Sequence, residues 1–179
     1  MKIQNIIMAA ALMFAAAIET KAQTTATAED LDTKYATTLV KPGTVAPDFK
    51  LKSPDGKVHN LSSFRGKTVV LDFWASWCPD CRKDAPEIVR MYNDYHAKGV
   101  EFIGISMDTD IQAWKNAIQK YGIEYLQVSE LKKFKETDIS KSYGVNWIPS
   151  IVVVDKEGKV LLSTVLSNKV DQLLRELTK

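Results

Sequence analysis

The chain has 179 residues, 45% of them hydrophobic and 26% charged, with a formal net charge of +2. That balance suits one globular domain with a core of its own, and it lacks the basic excess that nucleic acid or an anionic membrane would attract. Residues 1–22 carry Lys2, Lys21 and Glu19, so half of the small net charge belongs to the start of the chain.

Residues 1–22 read as an export signal. Lys2 gives a positive start, residues 6–18 are apolar and uncharged, and Thr20-Lys21-Ala22 offers small residues for cleavage before Gln23. The run is shorter than the ~20 residues that span a bilayer, although retention as an anchor stays open. No cysteine stands directly after the apolar run, which excludes a lipid-anchored form. The expected location is therefore outside the cytoplasm, periplasmic or otherwise exported, where disulfides persist.

Residues 23–41 are rich in Thr and Ala and are expected to form a flexible linker, with Leu31, Tyr35 and Leu39 at a spacing that fits a short helix. The domain is expected over 42–179. A hairpin is predicted around the Ser53-Pro54-Asp55-Gly56 turn, with His59 as a surface strand residue. Residues 68–74 are apolar on both faces, the pattern of a central strand covered on both sides. A helix follows from Pro79, with Ile88, Met91, Tyr92 and Tyr95 on its buried face, a kink at Pro86 and a stop at Gly99.

Residues 100–106 form the next strand, parallel to the last. Asp108, Thr109 and Asp110 are expected to cap a helix that carries Ile111, Trp114, Ile118 and Tyr121 on one face. A short strand near 125–128, a charged stretch at 132–135 and a short helix ending at Gly144 come next. Strands at 150–155 and 159–164 are joined by Lys156-Glu157-Gly158, and an amphipathic helix closes the chain. The whole predicts an α/β fold, a central mixed sheet flanked by helices, with an N-terminal hairpin and an inserted helix–strand.

The chemistry centres on Trp77-Cys78-Pro79-Asp80-Cys81, which holds the only two cysteines of the chain. At this spacing the two sulfurs meet when the second lies on the first turn of a helix. One thiol attacks a partner's disulfide and the other resolves the mixed species. A closed zinc site would need about four ligands, and His59 and His96 are the only imidazoles. An inert structural disulfide would close too small a loop to restrain the unfolded chain much. Cys78, at the helix N-terminus, is assigned as the nucleophile because exposed N–H groups and the dipole favour its thiolate; Cys81 is the resolving thiol. No nucleotide, flavin or metal motif is present, so the expected cofactor is none beyond the cysteine pair.

The stretch V-L-D-F-W-A-S-W-C-P-D-C at 70–81 resembles the active-site strand and helix start of the thioredoxin fold. Pro86 matches the family's helix kink, and Y-G-V-N-W-I-P-S at 143–150 resembles the segment bearing its cis-proline. The signal, the leading hairpin and the insert near 107–130 are similar to the exported TlpA/ResA-like thiol–disulfide oxidoreductases. The resemblance implies that Asp72 lies behind the cysteines, where a raised pKa would let it take the Cys81 proton; satisfaction by a backbone donor or a buried lysine is the alternative. It implies a cis Pro149 that turns the Ile148 backbone toward the cysteines, to pair with an extended substrate.

Trp77 and Pro79 are placed at the docking surface, while Trp74 and Trp114 are read as packing and Arg82 and Lys83 as solvated charges. Some relatives carry an acidic residue facing the site from the insert; Asp108, Asp110 and Glu124 are candidates. Peroxiredoxins share the hairpin but carry a hydroxyl residue three before their cysteine, where this chain has Ala75. The implied function is reduction of protein disulfides by a monomer supplied by a membrane-linked thiol donor. A disulfide oxidase or isomerase, a thiol peroxidase and a redox-inert peptide-binding domain are the alternatives.

Overall fold

The computed structural model describes residues 28–179, with side chains from Leu31 onward. The export signal of 1–22 and the first part of the linker lie outside the described residues. Among the described residues no helix is long and apolar enough to cross a membrane.

Seven strands form one mixed sheet in the order β2-β1-β5-β4-β3-β6-β7. Its centre is β3, Thr68–Trp74, in which every residue from Val69 to Trp74 is buried. Successive strand side chains point to opposite faces, so this pattern requires cover on both. β4, Val100–Ser106, runs parallel to β3 from Thr68↔Val100 to Trp74↔Ser106. β5, Leu126–Ser129, continues the parallel set. On the other side, β6, Ser150–Val154, and β7, Val160–Thr164, pair antiparallel. The hairpin of β1, Lys50–Lys52, and β2, Val58–Asn60, joins the edge of β5 through Lys52↔Ser129.

The helices are α1, Ala28–Tyr35, α2, Pro79–Tyr95, α3, Ile111–Tyr121, α4, Asp138–Tyr143, and α5, Ser167–Leu177. Ile88, Met91 and Tyr95 of α2 are buried, as the spacing predicts, and Tyr95 donates its hydroxyl to Asp171 of α5 at 2.7 Å. Pro86 lies inside α2, and Gly99 ends the following 3-10 turn with φ 88°. On α3 the expected face holds at Trp114, whereas Ile111 is 41% exposed at the first turn.

The described part of the expected linker is not free. Asp32 of α1 accepts bonds from the Thr164 hydroxyl, the Val165 N–H and Lys169. Leu39 is 2% exposed in the core, a burial that contributes roughly 1.5–3 kcal/mol. Val40 N–H donates to the Tyr143 carbonyl, and the Thr38 hydroxyl donates to that of Gly144. Gly144 has φ 66°, and a Cβ there would lie 1.8 Å from the Thr38 carbonyl oxygen, so only glycine permits this approach. Composition had argued for disorder; burial of Leu39 and the grip on Asp32 outweigh it.

Candidate active site

The site forms where β3 ends and α2 begins. Cys78 is the N-cap of α2, extended at φ −76° and ψ 117°, and Pro79 takes the first helical position, where a missing N–H costs nothing. The two cysteines form a disulfide with Cα atoms 5.3 Å apart. Cys78 Sγ accepts the Cys81 backbone N–H at 3.1 Å. The sulfur therefore stands where a capping side chain would, at the positive end of the helix dipole.

Access does not separate the two sulfurs. In this oxidised state Cys78 is 4% exposed and Cys81 3%. Position separates them: Cys78 Sγ holds the cap and also lies 3.6 Å from the Ile148 carbonyl oxygen. The Ile148–Pro149 bond is cis. The neighbouring Trp147 carbonyl is occupied by the Ser150 hydroxyl at 2.8 Å, so Ile148 is the residue of this loop whose carbonyl faces the sulfur. Trp77 is 53% exposed and Pro79 is also exposed, beside the buried sulfurs.

Asp72 lies in the middle of β3, paired with Gly104 and Ile151 and 5% exposed. Its donor is neither backbone nor lysine but the Tyr125 hydroxyl of the segment entering β5, at 3.1 Å. Burial pushes the Asp72 carboxyl up to about 7; the Asp84 charge adds to this and the Tyr125 bond opposes it. Tyr125 is itself pushed well up by burial and the same carboxylates. Asp84 is raised by burial, against the pull of the Ser167 hydroxyl at 2.6 Å. Asp72, Trp74, Cys81, Asp84, Tyr125 and Pro149 line one small cavity of about 10 Å³, on the order of one water molecule.

Of the three candidate acids, the structure brings Asp108 to the active-site loop. It is 2% exposed and accepts the Ser76 N–H at 3.0 Å, the Ser76 hydroxyl at 2.5 Å and the Ser106 hydroxyl at 2.8 Å. Asp110 alone caps α3, through the N–H groups of Gln112 and Ala113. Glu124 is exposed. Asp108 therefore leaves the capping role expected of it and ties β4 to the loop before Cys78. Lys83 pairs with Asp80 at 3.3 Å, an exposed contact of little energetic weight.

Asp84, Tyr125 and Gln127 escaped the sequence reading. Asp84 had a signal, since it stands one turn beyond Cys81 on the face that continues to Ile88. Tyr125 and Gln127 had none, because they arrive from across the sheet. Gln127 accepts the Trp74 indole N–H at 2.9 Å, and a Cβ at Gly104 would lie 2.1 Å from its Nε2. Trp74 and Trp114 pack as expected, 2% and 1% exposed.

A model of the redoxin family matches residues 41–177. The chain belongs to the redoxin family. It is 34% identical over 137 residues, 76% of this chain and 72% of the relative, to the thiol-disulfide oxidoreductase ResA of Bacillus thuringiensis (strain Al Hakam). To ResA of Bacillus thuringiensis subsp. konkukian it is 36% identical over 119 residues, spanning 66% of this chain and 66% of that relative. Among solved structures it is similar to the thioredoxin domain of a thiol-disulfide oxidoreductase from Bacteroides vulgatus. The TM-score is 0.72 and the identity 31%, over 78% of this chain and 99% of that one. The expected thioredoxin-type α/β fold holds for this redoxin, and its chemistry is thiol–disulfide oxidoreduction at the Cys78–Cys81 pair. The match leaves α1 outside the family's boundary at residue 41.

Proposed function

We propose that this redoxin reduces disulfides in protein substrates, with Cys78 as nucleophile, Cys81 as resolving thiol and Asp72 as the base between them. The observation that supports it most is the Cys78 sulfur capping α2 beside the Ile148 carbonyl. In the dithiol form the Cys78 thiolate attacks one sulfur of the substrate disulfide. That S–S bond breaks, one substrate thiolate leaves and a mixed disulfide remains. Asp72 takes the Cys81 proton, directly or through a water in the shared cavity. The Cys81 thiolate then attacks Cys78 Sγ, closing the Cys78–Cys81 disulfide and releasing the second substrate thiolate. Two electrons pass from the cysteine pair to the substrate. Ile148 backbone groups, Pro149, Trp77 and Pro79 are assigned to hold the extended substrate segment.

The reductive direction is supported by the surroundings of Cys78. Its buried sulfur faces a carbonyl oxygen and Asp80 lies on the same first turn, and these offset part of the pull that the helix N-terminus exerts on the thiolate. A less favoured thiolate makes a weaker oxidant. The wider assignment is an exported monomer that loses residues 1–22 and acts on protein thiols. Its reducing equivalents come from a membrane-linked thiol protein.

The test mixes the reduced chain with insulin as a protein disulfide. Cys81→Ser is expected to accumulate a mixed disulfide through Cys78, and Cys78→Ser to be inert. Turnover that survives in Cys78→Ser would sink the assignment.

A further inference from the structure

We infer that the N-terminal arm, α1 with residues 36–41, is a substrate-positioning element, and that Tyr35 acts through Trp147 to set affinity for protein disulfides. The inference rests on the proposed reduction of protein substrates. Tyr35 stacks on Trp147 with ring centroids 4.1 Å apart and planes 23° from parallel. Trp147 immediately precedes Ile148, whose carbonyl lies 3.6 Å from Cys78 Sγ. A strand paired with Ile148 must run past this indole. Trp147 remains 36% exposed with its ring backed by Tyr35, so one aromatic face is held in place and the rest is left for a ligand. A braced aromatic surface loses little conformational freedom when an apolar side chain lies against it.

The arm is built to hold that brace. Asp32 grips the junction of β7 and α5 at one end. At the other, Thr38 and Val40 bond the carbonyls of Gly144 and Tyr143, and Asn146 Nδ2 donates to the Thr38 hydroxyl at 3.0 Å. Both attachments act on the loop 143–148 or on strands beside it, and neither reaches the disulfide or Asp72. The arm therefore shapes the approach to the sulfur while leaving the chemistry alone. Its expected occupant is an extended segment of a protein substrate with an apolar or aromatic side chain flanking the target cysteine.

The test is single-turnover oxidation of the reduced full chain by insulin and by the small disulfide 5,5'-dithiobis(2-nitrobenzoate), followed across concentration. Tyr35→Ala should raise the half-saturating insulin concentration about three- to tenfold, the worth of one aromatic stack. The limiting rate and the reduction potential should stay at wild-type values. Tyr35→Phe, which keeps the ring and loses only the hydroxyl, should restore insulin affinity. An unchanged half-saturation in folded Tyr35→Ala, or a Phe variant as weak as Ala, would overturn the inference. Should Tyr35→Ala lose its cooperative unfolding transition, Tyr35→Leu keeps the bulk without the stack, and wild-type insulin affinity there would equally overturn it. A wild-type chain that reduces the small disulfide but not insulin would instead refute the protein-substrate reading on which this one rests.

Discussion

Two buried carboxylates serve the active-site segment, Asp72 behind Cys81 and Asp108 at Ser76, and they are buried alike, 5% and 2% exposed. They differ in what they are given. Asp108 receives three donors from Ser76 and Ser106, whereas Asp72 receives one from Tyr125 and faces the charge of Asp84. Desolvating a carboxylate costs several kcal/mol unless hydrogen bonds replace the lost water. At Asp108 that replacement is extensive, and the residue ties the end of β4 to the active-site loop. At Asp72 it is meagre, and the residue keeps a proton that an ordinary aspartate would give up. The comparison separates a carboxylate used for architecture from one suited to proton transfer.

The largest expected effect comes from Asp72→Asn. The folded carboxyl holds its proton to about 7, while an unfolded aspartate releases it near its ordinary value of 3.8. The folded state therefore binds more protons between those values, and wild-type stability falls as pH rises through them. A shift of that size is about 4 kcal/mol. Denaturant unfolding of the oxidised protein should show Asp72→Asn more stable by up to that amount at pH 9 and equal to wild type at pH 3. The same variant should slow resolution of the mixed disulfide by on the order of 10²-fold, with attack by Cys78 largely intact. Equal slowing of both steps would remove Asp72 from the role of base.

Asp108→Asn should act in the opposite sense. It puts an amide where three donors converge, and the loss of charged acceptance should cost about 2 kcal/mol. The loss should be seen in chemical denaturation at neutral pH; an unaltered midpoint would mean that the Ser76 and Ser106 bonds do not hold the loop. Tyr125→Phe is the smallest of the three. It removes the donor that lowers the Asp72 proton affinity, at a cost of about 1 kcal/mol. The pH at which resolution accelerates should move upward, and a downward move would contradict the sign assigned to that bond.

Much of this site was legible in the sequence because its signals are local. The double-faced apolar run of β3, the N-cap position of Cys78, Pro79 at the first helical position and the loop before Pro149 all sit within a few residues of what they determine. Asp72 stood out as a charge in a strand with no polar face. Its partner Tyr125 did not, since a strand's cross-sheet neighbour depends on sheet order, which no local period encodes. Asp108 was misread as a cap because Asp108-Thr109-Asp110 offers two equivalent capping carboxylates, and only the return of the Ser76 loop distinguishes them. The arm was hidden by composition: Thr- and Ala-rich residues suggested disorder, while the Leu31–Tyr35–Leu39 spacing that argued otherwise was weak. It is held by Asp32, by burial of Leu39 and by Gly144, through hydrogen-bond partners more than a hundred positions apart in sequence.

The most direct test of the account is the reduction potential of the Cys78–Cys81 pair, by equilibration with a thiol buffer while tryptophan fluorescence is followed. A reductase in which the Ile148 carbonyl and Asp80 offset the helix N-terminus at Cys78 should titrate near the ~ −270 mV of thioredoxin. A value near the ~ −120 mV of a strong oxidant would contradict it and make this redoxin a disulfide donor.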